Sequence, residues 1–374
     1  VLHHPYRWAD AIVDRAPNEE HLDDPFGGIP MKTDRRPVGT MRVVRRLDEH
    51  QWRRFVADHP RGNVFHTPEM FHVFERARGH RPEIWAVVDV ADRILALVTP
   101  VHITLSDGPL RRFTTRSVAY GSVLCRDGDE GRAALKKLLS AYDDAQSRSL
   151  FTELRNLDDM SELRPLLQEC GYRHNEHLNY LVALDAPVEE IHSRVAGRAR
   201  KAVRRVLRHD DVTIEEVHDP ADLDDVYRIL RGTYRNVRIP LPHRSLFEAA
   251  LEILGPLGMV RFLLVRVGGT AVGCSAELIH KDTVYGWYGG SDRAFSRYIP
   301  NDLLVWHILE WGARNGYRVY DFGGAGAPDE DYGVRDFKAK FGGQLVNFGR
   351  STHVHAPVRL RCSTVGYRFL RRFL

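Results

Sequence analysis

The chain has 374 residues, 43% of them hydrophobic and 28% charged, with a formal net charge of +4. This is the profile of a soluble globular protein large enough for two domains, and no apolar run reaches the roughly 18 residues that a membrane span needs. Four cysteines (Cys125, Cys170, Cys274, Cys362) show no CxxC or Cys/His spacing, which argues against a disulfide framework or a zinc site and for a reducing cytoplasm.

Residues 1–40 are polar, punctuated by Pro and Gly and without periodicity, and are expected to form a poorly ordered leader. From there the chain reads as one pattern twice. "RVVRRLDEHQWRRFVAD" (42–58) predicts a short strand, a cap at Asp48 and a helix. "DVTIEEVHDPADLDDVYRIL" (211–230) predicts the same, with Asp219 as the cap, 171 residues later. Apolar hairpins follow, turning at Ala91-Asp92 and at Gly268-Gly269. Helices are predicted at about 131–147 and 301–315, then short strands at 150–156 and 317–323. Each copy closes with helix, glycine stop and strand (163–184 and 335–354). The order is that of an N-acetyltransferase-like (GNAT) fold, a mixed α/β sheet. The expected organisation is an N-terminal GNAT-like domain at 41–187, a basic linking helix at 188–210 and a C-terminal GNAT-like domain at 211–374.

The duplication isolates one residue. "DYGVRDFKAKFGG" (331–343) follows the glycine-rich "DFGGAGAPDE", and at an offset of 171 Lys338 aligns with Leu167 and Phe337 with Leu166. The fold therefore does not require a cation at 338. Phe337 and Phe341 share a helix face and are expected to pack inward. Lys338 reads either as a surface lysine on a short capped helix or as a partly desolvated catalytic cation, and the flexible loop before it favours a site.

The glycine-rich loop lacks the spacing of a nucleotide-binding loop. An acetyl-CoA enzyme would place a [RQ]xxGxG/A turn before its central helix to hold the pyrophosphate. Here "SDRAFSRYIPNDLL" (291–304) has Pro300 and Asn301 instead, with Asn301 suited to an N-cap. "HSRVAGRARKAVRRVLRHDD" (192–211) groups Arg198, Lys201, Arg204 and Arg205 on a helix, as a phosphate or RNA contact or as a solvated linker. Tyr285, Trp287 and Tyr288 fit core packing better than ligand stacking. Asp321 fits a loop-ordering role better than a general base. No metal-ligand pair stands out among the histidines. The Arg-rich end (359–374) reads as a helix closing on the second domain or as a membrane-surface contact.

The segments 320–350, 298–317 and 195–214 together resemble the Fem family of aminoacyl-tRNA-dependent aminoacyltransferases, over roughly residues 42–355. The resemblance implies two tandem GNAT-like domains and transfer of an amino acid from aminoacyl-tRNA to an acceptor amine, most often on a peptidoglycan precursor's stem peptide, otherwise a small molecule. It implies no cofactor beyond the aminoacyl-tRNA co-substrate. Phe337 and Lys338 match the family's catalytic Phe-Lys pair. The residues expected to contact substrates are Arg198, Lys201, Arg204, Arg205, Tyr120, Trp287, Tyr298, Asn301, Gly324, Tyr332 and Arg335. Two departures stand out: there is no long helical arm, and "GSVLC" (121–125) carries Cys125 where peptidoglycan-specific members have Asp.

Overall fold

A computed structural model describes residues 40–104, 108, 111–146 and 149–370. The leader and the end of the C-terminal stretch lie outside the described residues. The elements appear in the predicted order in both repeats, but the strands of the first are divided between a four-stranded and a six-stranded sheet, whereas the second has one seven-stranded sheet. Asp48 accepts from the Gln51 amide to start the helix Glu49–Asp58, and Asp219 accepts from the Ala221 amide ahead of the helix Leu223–Asn236. Asp92 takes a positive φ at the first hairpin turn, and Gly268 and Gly269 do so at the second.

Each copy contains one parallel strand pair. Thr115–Tyr120 runs parallel to Phe151–Arg155, and Thr283–Ser291 to Val319–Gly324. The second pairing stops at Tyr285 and Asp321, beyond which those two strands part. The flanking pairs are antiparallel, as expected for a mixed α/β sheet of GNAT type.

The final strands cross between the copies. Leu178–Ala183, from the end of the first copy, inserts into the seven-stranded sheet of the second, between Val319–Gly324 and Gln344–Asn347. Arg350–Val354, from the end of the second, inserts into the six-stranded sheet of the first, between Phe151–Arg155 and Arg173–Asn175. The sequence pattern carries the order of strands but not their partners. The halves also share a core, in which Phe65, Met70 and Phe74 of the first pack with Phe247, Leu254 and Trp287 of the second.

Two details differ from the sequence reading. The linking segment is two helices, Val188–Arg194 and Gly197–Val206, broken at Val195-Ala196. The C-terminal helix Pro357–Leu370 packs on the first copy, not the second: Leu360 is buried with Leu150 and Phe151, and Ser363 Oγ donates to the Phe113 carbonyl at 2.6 Å. The strand exchange delivers this helix there.

The crossing turns on Gly349. Its φ is +68°, and a Cβ would lie 2.9 Å from the Asn175 carbonyl oxygen and closer still to the His174 ring. Gly349→Ala is expected to lower stability by more than about 1 kcal/mol in urea unfolding; an unchanged midpoint would show that the crossing does not depend on this backbone conformation.

Candidate active site

In the second copy the helix Gly333–Ala339 reaches the end of the strand Val319–Gly324 through Lys338. Where the first copy buries Leu167 in its core, the second buries Lys338, only 4% exposed. Apolar packing cannot accommodate an ammonium, and the strand end provides an alternative. Lys338 Nζ donates to the carbonyls of Phe322 (2.7 Å), Gly323 (3.2 Å) and Gly324 (2.7 Å). Successive carbonyls of a regular strand point to opposite sides. Gly323, at φ +69°, breaks that alternation, and the Asp321 carboxylate pins the break by accepting from the Gly323 amide at 2.6 Å.

Three acceptors match the three protons of an ammonium, whereas a neutral amine would turn its lone pair towards one of them. Burial pulls the other way and lowers the Lys338 pKa from 10.5 to about 7, opposed by the Asp321 carboxylate. Burial likewise raises Asp321 to about 6, against the Gly323 amide, Lys338 and the Asn179 side chain. The ring beside the ammonium is Phe322, whose centroid lies 5.8 Å from Lys338 Nζ and 5.7 Å from that of the fully buried Phe341. Phe337, packed on Phe341 at 5.4 Å, lies instead under Lys340 Nζ at 4.2 Å.

Gly324 is also part of the wall of a cavity of about 540 Å³ between the two copies. Phe65, Tyr120 and Arg155 line it from the first copy, and Tyr234, Trp287 and Tyr288 from the second. Arg78, Arg116 and Arg350 add charge, and no carboxylate lines the cavity among the described residues. Glu153 lies just behind the wall, buried, and accepts from Arg155 Nε and from Arg350 (3.2 Å). Burial opposes its ionisation, but Arg155, Arg350 and Arg116 outweigh that and hold its pKa down at about 2. Arg155 and Arg350 face each other directly across the exchanged strand pair, an arrangement of like charges that costs stability unless anions share it. Burial lowers Arg350 to about 10, Glu153 opposing, and lowers His177, which Arg350 contacts at 2.9 Å, to about 2. The cavity presents a desolvated cationic floor beneath aromatic walls, suited to a ligand with an anionic group.

Of the residues expected to contact substrate, Tyr120, Trp287 and Gly324 line this cavity, so Trp287 faces it as well as packing. Arg198, Lys201, Arg204 and Arg205 do not; they are exposed on Gly197–Val206, whose buried side is Val203 and Val206. Arg335 binds protein instead, donating to the carbonyls of Ala325 (3.0 Å), Ala327 and Pro328 and so shaping the glycine-rich loop. Tyr332 packs under that loop beside Gly326. Tyr298 is half-buried against Phe295, Arg297 and His209. Asn301 is not an N-cap: Ile299, in the left-handed region, precedes the helix Pro300–Arg314. Pro300 has no N–H, and the Asp302 and Leu303 amides bond the Ile299 carbonyl, so this helix end offers little to a pyrophosphate.

Sequence reasoning missed Glu153, Arg155, His177 and Arg350. "FTELR" places Glu153 and Arg155 on one strand face, a local signal. Arg350 joins them only through the strand exchange.

Residues 193–338 match the family model described as "Acetyltransferase (GNAT) domain". No curated protein matches the chain. Among solved structures, FemX has 15% identity and a TM-score of 0.65, covering 86% of this chain and all of that one. A tandem GNAT protein from the clavulanic acid biosynthesis pathway has 11% identity and a TM-score of 0.56, covering 84% of this chain and 99% of that one. L-PGS from Bacillus licheniformis has 16% identity and a TM-score of 0.53, covering 85% and 96%. The chain thus has a tandem GNAT fold, and its second half contains a GNAT-type acyltransferase domain. Among the described residues no helix is long and apolar enough to cross a membrane.

The buried lysine should mark the stability curve. Below about pH 7 Lys338 is charged in both folded and unfolded chains, and its burial cost is constant. Between about 7 and 10.5 the unfolded chain holds a proton that the folded chain has released, so this group makes stability rise with pH. Urea unfolding across that window should show a steeper rise for the native chain than for Lys338→Met; parallel curves would contradict a desolvated ammonium.

Proposed function

We propose that the protein transfers an aminoacyl group from aminoacyl-tRNA to the amine of an acceptor carrying an anionic group. The observation that carries this reading is the buried Lys338 ammonium behind Gly324, at the wall of a cationic cavity between the copies. An aminoacyl ester is already activated and calls for neither a metal nor a protein nucleophile. The neutral amine attacks the ester carbonyl carbon, forming a C–N bond and a tetrahedral oxyanion. Collapse breaks the bond to the ribose oxygen, which leaves with the proton lost by the amine.

Lys338 supplies positive charge where the oxyanion develops. Its longest bond, 3.2 Å to Gly323, is the one most readily exchanged for that oxygen. Phe322, backed by Phe341 and Phe337, is the apolar ring beside the buried ammonium, and the low dielectric there strengthens the interaction. Arg155 and Arg350 hold the acceptor's anionic group, as a phosphate or carboxylate of a peptidoglycan precursor or of a small amine would provide. The exposed Arg198, Lys201, Arg204 and Arg205 offer a surface for the tRNA backbone. The likeness to FemX and the expectation of a cytoplasmic enzyme fit this reading. A membrane-surface contact by the C-terminal helix would bring a lipid-linked acceptor to it.

A second reading, acyl transfer from acyl-CoA, is favoured by the acetyltransferase domain match and by the parting of the strands beyond Tyr285 and Asp321. One assay separates the two. Purified protein is incubated with tRNA charged with labelled amino acids and with nucleotide-linked stem peptide, lipid-linked precursor or small amines. Label should pass from tRNA to one acceptor, and Lys338→Met should reduce transfer by about 10²–10³-fold while keeping the side-chain volume. Acetyl-CoA turnover without transfer from tRNA would favour the second reading.

A further inference from the structure

A second cluster lies away from the cavity, where the exchanged strand meets the first copy. Asp143 lies in the last turn of the helix Gly128–Asp144. His353 is on the strand Arg350–Val354, and His355 directly follows it. Two positions apart in extended chain, the histidines project to one side, and their ring centroids are 4.9 Å apart. One nitrogen from each ring and one carboxylate oxygen of Asp143 all lie within 4.8 Å of one another. We infer that Asp143, His353 and His355 bind a divalent transition-metal ion of the zinc class, which fastens the exchanged strand to the first copy.

Several features distinguish this cluster from a chance contact. His353 Nδ1 and Asp143 Oδ2 are 3.0 Å apart, yet that nitrogen is buried without a directed hydrogen bond. Two ligands held at about 2.1 Å on a tetrahedral ion stand roughly 3.4 Å apart with no such direction between them. The outer contacts of a metal site are also in place. Tyr172 OH donates to Asp143 Oδ1 at 2.9 Å, leaving Oδ2 for the ion. Thr152 Oγ1 contacts His355 Nε2 at 2.7 Å, leaving Nδ1, and Tyr142 OH in turn contacts Thr152 at 2.9 Å. The Tyr172 ring meets His353 edge-on at 5.1 Å and fixes its plane. All three ligands are half-buried, so an ion reaches them from solvent. Two imidazoles and one carboxylate suit zinc, with water as the fourth ligand. No metal-ligand pair stood out among the histidines in the sequence; the His353-Val354-His355 spacing was a local signal left unused, and only Asp143 is remote, roughly 200 residues away.

The proposal is independent of the transfer reaction. The test uses the full chain stripped of metal by a chelator, then titrated with Zn²⁺ in thermal unfolding and with Co²⁺ in visible absorption. The expected result is one ion per chain, a higher unfolding temperature with Zn²⁺, and intense Co²⁺ bands of tetrahedral type. Asp143→Asn and His353→Gln, each near-isosteric, should weaken binding at least about tenfold. Absence of binding to the native chain would overturn the proposal, as would equal binding by the native chain and both variants, which would place the ion at other histidines.

Discussion

The arrangement of the C-terminal half turns on one ammonium held by three carbonyls. Taking a charge out of water costs several kcal/mol unless hydrogen bonds replace those lost. Lys338 meets that condition only because the strand Val319–Gly324 ends irregularly, with its last three carbonyls converging on one point. The irregularity needs Gly323 at positive φ and Asp321 to pin it. Arg335 continues the same logic downstream, gathering three carbonyls of the following loop. The loop that looked flexible in sequence is thus tied down by two cations on one short helix.

The strand exchange has a matching role. Two separate units would present a seam; here each unit is completed by a strand from the other. Asn179 and Gly324 are cross-strand neighbours at the seam, and Arg350 meets Arg155 there. The cavity therefore opens on two sheets whose edges are mutually covered, which keeps its charged floor dry and its geometry fixed.

Much of this was legible in the sequence for a physical reason: a duplication supplies its own control. Lys338 against Leu167 shows that a cation there is an addition to the fold, while its burial, against the alternative of a surface lysine, is a finding of the structure. The caps at Asp48 and Asp219 and the turn at Gly268-Gly269 are local chemistry, and local chemistry is readable. The partners of Leu178–Ala183 and Arg350–Val354 were not, because pairing is set by packing over the whole chain. That single non-local fact hid the Glu153, Arg155 and Arg350 cluster, placed the C-terminal helix on the first copy, and concealed the Asp143, His353, His355 site. Arg335 was expected at the substrate from the family resemblance alone; its donors are instead taken up by loop carbonyls.

The central claim is that a charged Lys338 assists attack by a neutral amine, and the pH dependence of kcat/KM tests it most directly. Deprotonation of the acceptor amine favours attack as pH rises, while loss of the Lys338 proton above about 7 opposes it. The account predicts a rate that climbs to about pH 7 and then levels, with the levelling absent in Lys338→Arg, whose charge persists. A native rate that keeps climbing through roughly pH 9 would contradict it.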